Sequence, residues 1–527
     1  MKIVHSAEKN HGRSVQGEFT FAARNMIVAC WMIACIVFCY VLFAPPRLGA
    51  ANNGDYIRLA GCTGIDGVER FTSDKYPYFY KLYEKWMWKP FDWRFLTLEK
   101  ASMGNAFPIL LIRAITNIVS DTAAVPFSTV YLAIVYAVML AVACYLLIRF
   151  AVNILHEQSA WIIFAAMLML FGSMHLAWLN SFYGEAMLFV GLLVLCGCIL
   201  SAIYAPQYSL AGRCLSISAI FCSHLFLTAK PQGVVSFPLW TILLLSIMLY
   251  HNPLFENKKI KKSAVCCFLI SILLFSVSGI SCYRLYLWNA HYNEKDTLYS
   301  AVMDGILSLS DNPEATLQEM GLNPKLAQDK GKQAYGDKEN MYLVPGTVKA
   351  EEELYSKIDT FGLLRYYLSQ PVYFYQAMEI TAQYAMEPPV SLFHYVNDDY
   401  NGTTGNFGRF TIWQNIRSFI VPHHFWQYIV IYAVLFSLCI WRFITNRGNV
   451  RNRFLIALYA TILLTGIFQY PLPFIGNGHA DTQKQLYLFM LTYDIAMLGG
   501  LGWALAAWNS HKISKTRTTH NKQATQP

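Results

Sequence analysis

Residues 186–204 read Ala186-Met187-Leu188-Phe189-Val190-Gly191-Leu192-Leu193-Val194-Leu195-Cys196-Gly197-Cys198-Ile199-Leu200-Ser201-Ala202-Ile203-Tyr204, with no charged residue and no proline. At about 1.5 Å per residue, a helix of this length crosses the roughly 30 Å hydrocarbon core of a bilayer. Apolar runs recur at 26–43, 127–150, 161–178, 214–227, 234–250, 264–282, 426–441, 454–468 and 486–508, separated by short polar punctuation. Of the 527 residues, 55% are hydrophobic and 14% charged, against roughly 45–50% and 25% in an average soluble domain. The expected fold is therefore an all-α polytopic membrane protein of about ten transmembrane helices. The first run follows a basic tail but ends in Ala44-Pro45-Pro46-Arg47 without a small-x-small cleavage site. It reads as a retained helix and not as a signal peptide. The run at 214–227 is short and carries His224.

Lysine and arginine orient the spans. Lys2, Lys9, Arg13 and Arg24 lie in the N-terminal tail. Lys258, Lys259, Lys261 and Lys262 follow the sixth span, Arg442, Arg447, Arg451 and Arg453 the eighth, and Lys512, Lys515, Arg517 and Lys522 the last. With ten spans all four groups fall on one side, which the positive-inside rule makes cytoplasmic. The expected organisation is a cytoplasmic tail (1–25), a transmembrane region (26–286) with a first outer loop (44–126), a large outer loop (287–425), C-terminal transmembrane helices (426–508) and a basic cytoplasmic tail (509–527). In the first outer loop, the aromatic stretch 76–83 and the piece 107–119, interrupted by Arg113 and Asn117, suit helices lying in the membrane interface. In the second, Ser310-Asp311-Asn312-Pro313-Glu314 reads as a helix start.

Thirteen cysteines are scattered through apolar runs, with Cys62 read as a loop residue. This is the distribution of small buried hydrophobes, without disulfide or zinc spacing. There is no P-loop, dinucleotide motif or zinc signature. The net charge of +9 gathers at span ends, so it reads as a topology signal and not as a nucleic-acid surface. No inverted halves are visible, and mid-span positions offer His224 and Asp494, which is little for a transport path. Asp494 reads as a buried structural partner.

The costly polar residues map to the outer side: Asn52-Asn53-Gly54-Asp55-Tyr56-Ile57-Arg58, Asn180-Ser181-Phe182-Tyr183-Gly184-Glu185, Thr228-Ala229-Lys230-Pro231-Gln232, and Asn477-Gly478-His479-Ala480-Asp481-Thr482-Gln483-Lys484. A charge at the membrane edge implies a polar cavity, because an unpaired charge at that depth is expensive. Asp55 has the chemistry of a general base taking a proton from an attacking hydroxyl. It equally suits an Asx turn or N-cap with Arg58 as ion-pair partner. Glu185 suits sugar hydroxyls, a metal ion or the positive end of a helix. Lys230 suits a phosphate or a snorkelling helix end. His479, Asp481 and Lys484 together suit a grip on a phosphate and a hydroxyl. Asp398-Asp399 and the sequon Asn401-Gly402-Thr403 read as loop features.

In order and in shared outer location, Asn53-Gly54-Asp55-Tyr56, Phe182-Tyr183-Gly184-Glu185, Lys230-Pro231-Gln232, the stretch 307–322 and Gly478-His479-Ala480-Asp481 with Lys484 resemble multi-spanning glycosyltransferases of the GT-C type. They are most similar to the hexose transferase family of surface-layer glycan biosynthesis. The resemblance implies a polyprenyl-phosphate sugar donor, a surface glycan acceptor and an outward-facing site in a bacterial cytoplasmic membrane. It also implies catalysis by an acid in the first outer loop. Asp55 is the acid in the matching position. Arg58, Tyr183, Glu185, Lys230, Gln232, His479, Asp481 and Lys484 would hold substrate. Many GT-C families show two acids where this chain shows one, which leaves use of a divalent metal open. The rival readings are a polysaccharide polymerase or ligase, favoured by a site dominated by basic residues, and a lipid-linked sugar flippase.

Overall fold

The computed structural model describes residues 21–45, 47–50, 55–67, 86–89, 103–119, 126–252, 255–256, 259–260, 262–292, 294–335, 338–385, 387, 392–396 and 409–524. Eight segments among them are long and apolar enough to cross a membrane: Phe21–Leu42, Thr129–Leu170, Gly184–Tyr204, Leu210–Leu227, Lys262–Ala290, Phe425–Thr445, Val450–Asn477 and Tyr487–Asn509. The 42-residue segment Thr129–Leu170 would be about 63 Å long if straight, twice a bilayer core. It is instead a hairpin, because helix Thr129–Leu155 stops at His156, whose φ is +50°. Phe127, before this hairpin, stacks on Phe182, after it, at 5.6 Å, while Leu155 at its tip meets Asn509. The returning limb is helix Ser159–Leu170, broken at Gly172 and continued by Ser173–Leu176 and Ala177–Asn180.

The apolar helix Phe237–His251 is shorter than a usual span, yet it joins the same two ends of the bundle. His251 bonds the carbonyl of Ala202 and accepts from Arg213, and Arg213 also donates to Ser263. The chain returns to the other end through Lys230, which reaches Glu185. Counting the hairpin as two and adding Phe237–His251, the spans expected from the sequence are all present as helices. Helices Phe21–Leu42 and Tyr487–Ala524 both have their terminus-bearing ends away from Asp55 and Glu185.

The run 186–204 is the axis of the bundle. Segment Gly184–Tyr204 is 89% buried inside the protein, against 17% for Lys262–Ala290 and for Phe425–Thr445, whose apolar side chains face outward. Glu185, the first residue of helix Glu185–Tyr204, therefore stands at the centre of one end of the bundle.

The two large loops cover that same end. Helix Met103–Val119 begins earlier than expected. Its Asn105 donates to the carbonyl of Phe182, and its Arg113 to those of Thr63, Gly64 and Lys89. Both side chains thus bond backbone at the site-bearing end. Helix Lys262–Tyr292 runs past residue 286 into the second loop. There helix Pro313–Glu319 starts at Asn312, whose side chain accepts from the Ala315 N–H.

Two corrections follow. Cys62 is buried in helix Tyr56–Thr63 and is not a loop residue, because that face packs inward. The loops covering that end also carry short strands: Arg47–Ala50 pairs antiparallel with Phe393–Val396, tying the first loop to the second, and Ile65–Gly67, Trp86–Trp88 and Pro126–Phe127 form a three-stranded patch. The stretch 76–83, Asp398-Asp399 and the 401–403 sequon lie outside the described residues.

Candidate active site

Four chain segments deliver charged side chains to the central end of the bundle. Asp55 immediately precedes helix Tyr56–Thr63. Tyr56 anchors it: the ring is fully buried, its hydroxyl donates to the Ala50 carbonyl, and it packs edge-on against Phe182 and Tyr183 at 5.0 and 5.3 Å.

Glu185 opens the central helix after Gly184. A Cβ at residue 184 would lie 2.3 Å from Lys230 Cγ and 2.6 Å from the Ala229 carbonyl oxygen, so only glycine lets the Lys230 strand approach. Lys230 then donates to Glu185 Oε1 at 2.6 Å. Among the described residues, Glu185 Oε2 is buried without a hydrogen-bond partner.

The fourth segment is a self-closed turn. Asn477 donates to the Ala480 carbonyl and Thr482 to that of Gly478. Gly478 has φ +60°, and a Cβ there would meet Gly305 N and Ser300 O at 2.8 Å, where the outer segment docks. Asp481 sits at φ +54°, a left-handed conformation uncommon outside glycine and the Asn/Asp group. From this turn Lys484 reaches Asp481 Oδ2 at 2.7 Å and Asp55 Oδ2 at 3.0 Å, with the Tyr183 ring centroid 5.7 Å away. Burial pushes the Lys484 ammonium down, but Asp55, Asp481 with its hydrogen bond, and Glu185 outweigh it and hold the group well above its ordinary pKa.

Asp55, Glu185, Lys230, Asp481 and Lys484 thus form one cluster, with Tyr183 as its aromatic wall. Two residues expected to hold substrate stand apart. His479 packs edge-on between Phe474 and Tyr384 at 5.1 and 6.3 Å and, among the described residues, makes no hydrogen bond or ion pair. The turn at Gly478 directs it to the outer segment and away from Lys484. Gln232 donates to the Gln485 carbonyl and its own carbonyl accepts from Gln469, so it braces the turn behind Lys484. The side chain of Arg58 and residues 52–54 lie outside the described residues.

A second charged cluster lies deeper and was not legible as one. Asp494 sits 3.6 Å from Arg417 and 3.8 Å from His175 and accepts from the Trp413 indole. His175 also hydrogen-bonds the Tyr487 hydroxyl at 2.9 Å. Asp494 is the buried structural partner expected, and fully buried His175, beyond the end of helix Ser159–Leu170, joins it. A histidine in an otherwise apolar run was the signal available. Arg417, on the amphipathic helix Ile412–Ile420, could be paired with it only by the fold.

The bundle defines an all-α polytopic membrane protein, and the family that the sequence matches marks it as GT-C-like and of glycosyltransferase type. The chain belongs to the family described as the YfdI N-terminal transmembrane domain, which it matches over residues 12–526. No curated protein and no solved structure matches it.

Proposed function

We propose that the chain is an inverting hexosyltransferase that moves a sugar from a polyprenyl-phosphate donor to a hydroxyl of a surface glycan, on the outer face of the cytoplasmic membrane. The observation that carries this reading is the convergence of Asp55, Asp481 and Glu185 with Lys230 and Lys484 at one end of a lipid-embedded bundle. In the reaction the acceptor oxygen bonds to the anomeric carbon from the side opposite the phosphate. The bond from that carbon to the phosphate oxygen breaks, and its electron pair leaves with the phosphate. Asp55 takes the acceptor proton. Lys484 and Lys230 stabilise the charge growing on the leaving phosphate, where preorganised cations are most effective. Glu185 and the Tyr183 ring line the sugar side, and the outward-facing helices give the polyprenyl chain its lipid surroundings.

Three carboxylates against two ammoniums favour this reading over a polymerase or ligase, whose pyrophosphate donor calls for a predominantly basic site. Hexose as the sugar and a surface glycan as the acceptor come from the surface-layer resemblance.

Two experiments test the proposal. Mass spectrometry of the surface glycan from a deletion strain should show one sugar residue type missing, and the chain supplied in trans should restore it. An unchanged glycan would contradict the reading. Orientation is tested by single cysteines in a background without exposed thiols. Impermeant reagent added outside should reach replacements at 66 and 483 and miss 260 and 448, whereas labelling at 260 would reverse the membrane sidedness.

A further inference from the structure

Building on the glycosyl-transfer reading, we propose that the Lys484 ammonium stands where a divalent cation would stand, so that the site grips its anionic donor with a built-in cation and has no room for a metal ion. The side chains able to ligate a cation here are Asp55, Asp481 and Glu185. Nζ of Lys484 lies 2.7 Å from Asp481 Oδ2 and 3.0 Å from Asp55 Oδ2. A magnesium, manganese or calcium ion shared by those two oxygens needs distances of about 2.0–2.6 Å from both. It would therefore occupy nearly the same point as Nζ, and two cations that close repel strongly in a partly dehydrated pocket.

Lys484 cannot readily make way. Its side chain is only 6% exposed, and the turn carrying it is closed by Asn477 and Thr482 and braced by Gln232. The third carboxylate is engaged as well, since Lys230 holds Glu185 Oε1. Among the described residues no three His, Cys, Asp or Glu side chains converge as a metal-ligand set. Because its carboxylate neighbours hold Lys484 charged well past neutrality, the cation is permanent. The donor phosphate and Asp55 then compete for one ammonium, so donor binding loosens Lys484 from Asp55.

Lys484→Met removes the ammonium from between the Asp481 and Asp55 carboxylates.

The test uses the full chain in lipid nanodiscs with Mn²⁺ as probe, followed by electron paramagnetic resonance and by thermal unfolding. Wild type should bind no Mn²⁺ that Asp481→Asn removes, and EDTA should leave any sugar transfer unchanged. Lys484→Met should gain one Mn²⁺ per chain, at least about tenfold tighter than wild type, and lose it when Asp481→Asn is added. Its melting temperature should rise with Mn²⁺ while that of wild type does not. Lys484→Arg should behave as wild type. If Lys484→Met fails to fold, wild type against Asp481→Asn decides alone. A wild-type Mn²⁺ site abolished by Asp481→Asn, or a folded Lys484→Met without a gained site, would overturn the proposal. Because metal binding is read without any sugar, failure of the glycosyl-transfer reading would appear separately, as absence of transfer with the Mn²⁺ results intact.

Discussion

The protein holds two charged clusters of similar chemistry and opposite character. At the end of the bundle, Lys484 and Lys230 bond carboxylates at 2.6 to 3.0 Å, while Asp55 and Asp481 remain 23% and 42% exposed. Deeper in, Arg417, Asp494 and His175 stand 3.6 to 3.8 Å apart and none is more than 1% exposed. A group that must meet a substrate needs an exposed face, and the first cluster keeps one. The second is sealed. Buried ion pairs contribute little net stability, but losing one partner is costly, so their use lies in fixing geometry. Here the pair clamps helix Ile412–Ile420 to the last long helix, and the Tyr487–His175 bond ties the clamp to a point one turn beyond Lys484. The sealed cluster holds the exposed one in register.

If that division is right, mutations should separate the two. Asp494→Asn removes the carboxylate of the buried Arg417–Asp494 pair and should cost about 3–5 kcal/mol of stability, seen as a large fall in melting temperature, while transfer per folded molecule stays near wild type. Equal loss in both measurements would merge the clusters into one site. Lys484→Met should lower transfer per folded molecule by roughly 10²–10³-fold, as for loss of a preorganised charge stabiliser. Gly184→Ala should cost about 1–3 kcal/mol through overpacking against Lys230 and Ala229, with reduced transfer as Lys230 is displaced. His479→Phe keeps the aromatic contacts and should stay within about 0.5 kcal/mol of wild type, with transfer unchanged.

The smallest effect concerns pH. Lys484 has a raised pKa in the folded protein, so its stabilising charge is fully present below the unfolded lysine value and is lost only as pH rises through the higher folded one. Between neutrality and about pH 10, the melting temperatures of wild type and Lys484→Met should therefore run parallel. A gap that closes within that window would show that Lys484 is not held by its carboxylates.

The spans were legible because a lipid-crossing helix leaves a long apolar run, and Asp55, Glu185, Lys230, Asp481 and Lys484 because charge at a membrane edge is conspicuous. What escaped depends on direction and pairing. Nothing local says that Gly478 turns His479 toward Phe474, or that Gln232 is consumed by the Gln485 and Gln469 backbone-linked bonds. The pairing of Arg417 with Asp494 spans 77 residues of sequence and exists only once helix Ile412–Ile420 is laid against the bundle. The strand joining Arg47–Ala50 to Phe393–Val396 escaped for the same reason, being four residues long and non-local.

Whether Asp55 takes the acceptor proton is decided by the transfer rate of Asp55→Asn per folded molecule, measured with purified protein, polyprenyl-phosphate sugar and acceptor glycan. The amide is nearly the same size and can still accept from Lys484, so the fold should survive. The account predicts a loss of about 10²–10⁴-fold. A folded Asp55→Asn protein transferring at close to the wild-type rate would contradict it and move the base to Glu185 or Asp481.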